Sequence, residues 1–214
     1  CVIEKDLVGG ICTNWGCIPT KAMITAAKSV KTIKKSKRFG ISADYEIDFS
    51  KICKHRDRVV KVSRKGIKTL LDKNNVDLIQ GEGKLVSEKE VEVDGKVIEG
   101  KNIVVATGSH PIIPGFIKLS DTVLSSRELL EIEEIPEKMV VVGGGVIGLE
   151  FATLFSNLGS KVTVVEMMDR ILINSDPEIS KVLTRSYQRH GMEILTQHKV
   201  LSAKGNTVEV EDLI

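Results

Sequence analysis

Cys12 and Cys17 stand five positions apart in Gly9-Gly-Ile-Cys-Thr-Asn-Trp-Gly-Cys-Ile-Pro-Thr-Lys21. Two thiols so close can cycle between a dithiol and a disulfide, and Gly16 lets the short span close. Cys17 falls where a helix is predicted to begin, and a helix N-terminus stabilises the thiolate that does such chemistry. Cys12 lies one loop earlier and is expected to be the more exposed. The asymmetry suggests that the outer sulfur exchanges with substrate while the inner one faces an electron donor. A structural pair is the alternative. A metal would need two more soft ligands, and neither Cys53 nor His55, His110, His190 and His198 stand at a recognisable spacing. No metal site is therefore predicted, and Cys1 and Cys53 read as inert packing residues.

A second constellation is Val140-Val-Val-Gly143-Gly-Gly145-Val-Ile-Gly148-Leu-Glu150. It contains Gly-x-Gly-x-x-Gly directly after an apolar strand and opening a helix, with Glu166 at the end of the next strand, 23 residues after Gly143. This is the context a dinucleotide turn demands. Gly143 permits the tight turn, Gly145 lets a pyrophosphate approach the helix N-terminus, and Gly148 lets helix and strand pack closely. Glu166 can accept from ribose hydroxyls and would repel a 2′-phosphate, so NAD is favoured over NADP, with Arg170 nearby as the one contrary feature.

These groups need elements to carry them. Val2-Ile3-Glu4 reads as the tail of a buried parallel strand. A helix is predicted over residues 17–36, with apolar Ile18, Ala22, Ala26, Val30 and Ile33, and its lysine-rich second half reads as a solvated face. Asp48 or Ser50 caps a second helix to about residue 73, apolar at Ile52, Val59, Val62, Ile67, Leu70 and Leu71. Short strands follow at 76–80, 83–86, 91–93 and 97–98, with Asp94-Gly95 as a hairpin turn. A buried strand is predicted at Asn102–Ala106, and a proline-punctuated connector at 111–136. Beyond it come a strand at 139–142, a helix at 149–158 and a strand at 161–166. Asp176-Pro177 then starts a helix, and a strand at 192–196 follows before some edge β-structure. The β-α-β-α-β order is that of a parallel, doubly wound α/β sheet.

The 214 residues, 42% hydrophobic, with 31 Lys+Arg against 29 Asp+Glu, describe a globular protein of one large or two modest domains. A net charge of +2 gives no reason to expect nucleic acid, and no apolar run reaches the roughly 18–20 residues of a membrane span. Four cysteines do not make a secreted disulfide framework, which favours a reducing, cytoplasmic setting.

Gly9 to Lys21 resembles the redox-active signature of the class I flavin-dependent pyridine nucleotide-disulfide oxidoreductases. Ile-Pro-Thr-Lys and the neighbouring Asn-Trp look most like the dihydrolipoamide dehydrogenase branch. Ala106-Thr107-Gly108-Ser109 is similar to the family's second FAD motif, and Gly143 to Glu150 to its NAD motif. The resemblance implies two incomplete Rossmann-like domains: an FAD portion, residues 1–117, and an NAD portion, residues 118–214. It implies that Cys12 is the interchange thiol and Cys17 the charge-transfer thiol, with Lys21 near the flavin and paired with Glu150. FAD would be met by Glu4, Gly10, Lys21, Gly83, Thr107, Gly108 and Ser109, and NAD by Gly143, Gly145, Gly148, Glu166 and Val200. The implied activity is reoxidation of dihydrolipoamide to lipoamide through the Cys12–Cys17 disulfide and FAD, with hydride transfer to NAD. Implied partners are lipoyl-bearing domains of 2-oxo acid dehydrogenase or glycine cleavage complexes and a second copy in a homodimer. The setting would be cytoplasmic, or the mitochondrial matrix or plastid in a eukaryote.

The family's first glycine-rich FAD turn, its later Gly-Asp motif and its C-terminal His-Glu pair have no counterpart here. The sequence therefore reads as part of a chain about twice as long, inactive by itself. Other disulfide reductases or a mercuric reductase are the alternatives within the family, and a non-catalytic assembly piece is the alternative outside it.

Overall fold

The computed structural model describes residues 1–213. They divide into two compact units that interleave along the chain: Cys1–Pro19 with Asp57–His110, and Thr20–Arg56 with the chain from Pro111 onward. The sequence division at residue 117 runs straight along the chain, whereas the compact units send residues 20–56 with the second half.

In the first unit β1 (Val2–Glu4) pairs in parallel with β2 (Leu78–Gln80). The strand is parallel as expected but not buried, since Val2 is exposed and Ile3 and Glu4 are half-buried. β3 (Gly83–Leu85), β4 (Glu90–Val93) and β5 (Lys96–Glu99) form an antiparallel meander. Its second turn is Asp94-Gly95, both at positive φ as a type I′ hairpin requires. The strand expected at Asn102–Ala106 does not form, and Val104 and Val105 are exposed. An apolar run becomes a buried strand only where a ladder partner and a covering layer exist, and the described residues provide it neither.

A short helix that the sequence reading missed, α1 (Gly10–Trp15), precedes α2 (Cys17–Ser36), whose bounds match the expectation. Of the predicted stripe of α2, Ala22 and Val30 are buried and Ile18, Ala26 and Ile33 half-buried, and Met23 and Ala27 bury beside them. Its lysines are exposed except Lys31, which is half-buried and whose ammonium is held below its usual pKa by burial first and then by Lys35 and Lys28. In α3 (Phe49–Lys73) the residues that bury are Phe49, Arg56 and Val60, while Val62 and Leu70 face solvent. Arg56 donates to the Leu130 carbonyl and so ties the start of α3 to the 111–136 connector.

The second unit holds the core. β6 (Lys138–Val142), β7 (Lys161–Glu166) and β8 (Glu193–Thr196) form a parallel sheet in that order, joined by α4 (Val146–Leu158) and α5 (Pro177–Arg189). This is a Rossmann-like β-α-β-α-β arrangement. Leu149, Ala152, Leu154, Phe155 and Leu158 of α4 bury against Val162 and Val164 of β7 and against Met23 and Ala27 of α2 in one cluster. Phe49 and Phe155 meet with ring centroids 6.5 Å apart and tilted by 51°. β9 (His198–Lys204) and β10 (Thr207–Asp212) close as an antiparallel ribbon. No helix among the described residues is long and apolar enough to cross a membrane.

Both predicted caps are present. Asp176 accepts from the Glu178 N–H at 2.7 Å ahead of Pro177. Asp48 accepts from the Ser50 hydroxyl at 2.7 Å and the Lys51 N–H at 3.1 Å. These bonds, the serine's first, hold the Asp48 carboxyl down at about 2 against an ordinary 3.8. A depressed acid contributes stability that is full above its unfolded-state value and is lost as pH falls through its folded value. Acidification from about pH 4 to about pH 2 is thus expected to lower the melting temperature, and Asp48→Ala to reduce that sensitivity. Melting curves of both proteins across this range check it, and identical pH dependence would refute the cap's part.

Candidate active site

The dithiol segment is built by backbone geometry before any thiol is considered. Gly9 caps α1 at φ 107°, and an added Cβ would lie 2.8 Å from Ile67 Cδ1 and from Thr13 Cβ. The buried Asn14 amide donates to the carbonyls of Leu7 and Val8, each at 3.2 Å, and of Gly10 at 2.9 Å. It knits the loop to α1, a role that its position between the two cysteines does not announce. Cys12 sits in α1 and Cys17 is the first residue of α2, with Gly16 as the break between the helices. Both cysteines are exposed and neither is in a disulfide. The expected contrast in exposure is absent, because Cys12 on α1 and Cys17 at the start of α2 are both exposed. Cys53 is half-buried, its thiol directed at the Ile132 carbonyl, but Cys1, expected to pack, is exposed.

Lys21 follows Cys17 by one turn of α2 and reaches across to α4. Its ammonium lies 2.5 Å and 2.7 Å from the two Glu150 carboxylate oxygens. The pair is part exposed, so its net stabilisation is small, on the order of 0–1 kcal/mol, and its effect is to fix where the Lys21 charge stands. The fold thus joins two residues 129 positions apart.

In the first unit Glu4 ends β1 and accepts from the Asp6 N–H at 2.9 Å. Gly10 has open space at its Cα. Thr107, Gly108 and Ser109 lie in an exposed irregular segment, and a Cβ on Gly108 would come within 3.9 Å of Ile11, the neighbour of Cys12. Gly83 is packed, with a Cβ meeting Ile3 and Val91 at 3.2 Å.

In the second unit the glycine turn leaves β6 and enters α4. At Gly148 a Cβ would collide with the Gly143 carbonyl and come 3.0 Å from Val141, so helix and strand can pack this closely only on glycine. Gly145 caps α4 with no side-chain bond and has open space at its Cα. Gly143, Gly145 and Gly148 line one open cleft with Val140 and Val142. Such a cradle fits a pyrophosphate. Glu166 stands at the end of β7, with Oε2 accepting from the Gly144 N–H at 2.7 Å and Oε1 from the Met168 N–H at 2.8 Å. The Arg170 guanidinium is engaged by the Asp169 carboxylate at 3.1 Å and the Ile173 carbonyl at 3.2 Å. Val200 is buried in β9 opposite Val210. No group of three or more metal-ligating side chains occurs among the described residues.

The model of the pyridine nucleotide-disulphide oxidoreductase family matches residues 1–214. Among curated relatives, a dihydrolipoyl dehydrogenase of Acholeplasma laidlawii is 44% identical over 97% of this chain and 67% of its own length. One of Chlamydia pneumoniae is 42% identical over 93% of this chain and 44% of its own. Among solved structures, LpdA from Mycobacterium tuberculosis superposes with a TM-score of 0.84 at 26% identity, covering 98% of this chain and 48% of that one. The HOCl-induced flavoprotein disulfide reductase RclA from Escherichia coli gives 0.80 at 30% identity, covering 98% and 46%. The chain therefore spans two thirds of the length of the first of these proteins and less than half of the others. With the dithiol helices, the Lys21–Glu150 pair and the glycine turn in the order that this match spans, the chain belongs to the pyridine nucleotide-disulphide oxidoreductase family.

Proposed function

We propose that the full-length protein containing this chain is a dihydrolipoamide dehydrogenase, with its FAD portion in residues 1–117 and its NAD portion from residue 118. The observation that carries the reading is the dithiol at the junction of α1 and α2, followed one turn later by a lysine fixed on Glu150. Cys12 attacks or receives the substrate's sulfur. Dihydrolipoamide gives up two thiol protons and two electrons, the Cys12–Cys17 disulfide is broken to two thiols, and lipoamide leaves with its ring disulfide closed. Cys17, at the head of α2, holds the inner sulfur and closes the disulfide again when electrons leave. Bound FAD would supply the two-electron relay between the dithiol and the hydride accepted by NAD. Lys21 keeps a positive charge one turn from Cys17. On the FAD side the reading assigns Glu4, Gly10, Gly83 and Thr107 to Ser109. On the NAD side Gly143, Gly145 and Gly148 admit the pyrophosphate to the head of α4, Glu166 takes the ribose hydroxyls, and Val200 lines the adenine side.

The chemistry of the donor sets supports both groups: a glycine backbone at Gly108 whose added Cβ would meet only the Ile11 side chain, at 3.9 Å, and a helix N-terminus without a side-chain cap with an acid 23 residues on. Lipoyl-bearing domains of 2-oxo acid dehydrogenase or glycine cleavage complexes are the partners this implies, with a homodimer as the working form in the cytoplasm, matrix or plastid. The likeness to RclA supports a second reading, another flavoprotein disulfide reductase.

Alkylation followed by mass spectrometry tests the electron path. In the oxidised full-length protein Cys12 and Cys17 are expected to resist alkylation. Dihydrolipoamide or NADH should make both reactive, whereas glutathione should not. Full alkylation of both under oxidising conditions would overturn the redox role of the pair.

A further inference from the structure

Gly144 is an unspecified position in the Gly-x-Gly-x-x-Gly pattern, yet it is held on both backbone groups and has no room for a side chain. Its N–H donates to Glu166 Oε2 at 2.7 Å, and its carbonyl accepts from the Leu172 N–H at 2.9 Å. A Cβ at Gly144 would lie 2.7 Å from Ile171 Cγ2 and 3.3 Å from Glu166 Cβ. The segment that grips it is itself fixed. Ile171 is fully buried, and its carbonyl accepts from the Ser180 hydroxyl of α5 at 2.7 Å. The Met168 carbonyl accepts from the Gln197 N–H at 2.9 Å. Leu172 is held at φ 51°, a conformation that L residues adopt only when surroundings impose it.

We propose that Glu166 and the 167–172 segment are positioning elements for the phosphate side of the nucleotide, a role separate from any contact between Glu166 and the ribose. The proposal rests on the reading of this turn as a nucleotide site. Gly144 lies between Gly143, which makes the turn, and Gly145, which caps α4. Fixing both backbone groups of Gly144 fixes the plane of the peptides on either side and thus the direction of the donors that a pyrophosphate would meet. Both Glu166 oxygens already hold a backbone N–H, so the carboxylate is oriented before any ligand arrives, and preorganised donors bind without an ordering cost. A carboxylate this near an anion site also repels phosphate, which opposes the positioning effect in sign. The direction in which its removal shifts binding of a probe without ribose hydroxyls therefore shows which effect prevails.

The test is titration calorimetry on the flavin-loaded full-length protein, with ADP, 2′,3′-dideoxy-ADP and adenosine as probes. Dideoxy-ADP offers no ribose hydroxyls, so its binding reports Glu166 only through the turn. Glu166→Ala is expected to weaken dideoxy-ADP by about fivefold or more, the order of a lost charge-assisted hydrogen bond. Glu166→Gln, which keeps one oxygen able to accept from Gly144, should restore most of that loss. Gly144→Ala, which keeps the Glu166 carboxylate but crowds Ile171 and the Glu166 Cβ, should weaken ADP and dideoxy-ADP alike and adenosine far less. Circular dichroism and melting temperature identify any variant that has merely unfolded, and Glu166→Gln then carries the comparison. Equal or tighter binding of dideoxy-ADP by Glu166→Ala would overturn the positioning role while leaving the nucleotide site intact. Failure of the unmodified protein to bind ADP at all would overturn the nucleotide reading, and the inference with it.

Discussion

Replacing Cys12 with serine in the full-length protein is expected to lower dihydrolipoamide oxidation at least about 10³-fold, the scale seen when a covalent nucleophile is removed. A serine hydroxyl ionises far above neutral pH and forms no bond to sulfur that another thiol can open. No remaining group in the pair can therefore accept the substrate's electrons. The swap is nearly isosteric at an exposed position, and α1 is held by the three Asn14 bonds rather than by the thiol. The variant should therefore retain bound flavin at the parent's stoichiometry. NADH formation with dihydrolipoamide and NAD is the measurement. Turnover within tenfold of the parent would remove Cys12 from the proposed mechanism.

The second large effect concerns the nucleotide. Unmodified protein is expected to prefer NADH to NADPH. Two features motivate this: the Glu166 carboxylate is fixed by two backbone donors at the end of β7, and Arg170 is engaged by Asp169 and Ile173. Glu166→Ala should narrow the preference by roughly one to two decades, because it deletes a charge-assisted bond worth about 1.5–3 kcal/mol and the repulsion of a 2′-phosphate together. The ratio of the two dissociation constants is the quantity to follow, since a disturbed glycine turn would weaken both cofactors. Equal affinities in the unmodified protein would overturn the assignment of NAD.

What the sequence determined by itself is local or periodic. The bounds of α2, the Asp48 and Asp176 caps, the Asp94-Gly95 hairpin and the β6–turn–α4 passage each follow from residues within a few positions of one another. Glycine, proline and short acids impose conformations that tertiary context rarely overrides. The dithiol and the glycine turn were legible for the same reason, because their chemistry lies in close spacing. Tertiary structure decided whatever depends on a partner far along the chain. Asn102–Ala106 has a strand's composition, but composition supplies no ladder, and its valines stay exposed. The pattern of α3 predicted Val62 and Leu70 inside; the packing buries Val60 and Arg56 instead. α1 was invisible because six residues carry too few turns to show a period, and it forms because Gly9 and Asn14 fix the chain at its start. Lys21 meets Glu150 only because α2 packs beside α4. Gly144 looked free in the motif, and only the fold brings Glu166, Ile171 and Leu172 around it. Spacing reveals which side chains share a turn, but a neighbour supplied by another element is determined only once the core has set how those elements pack.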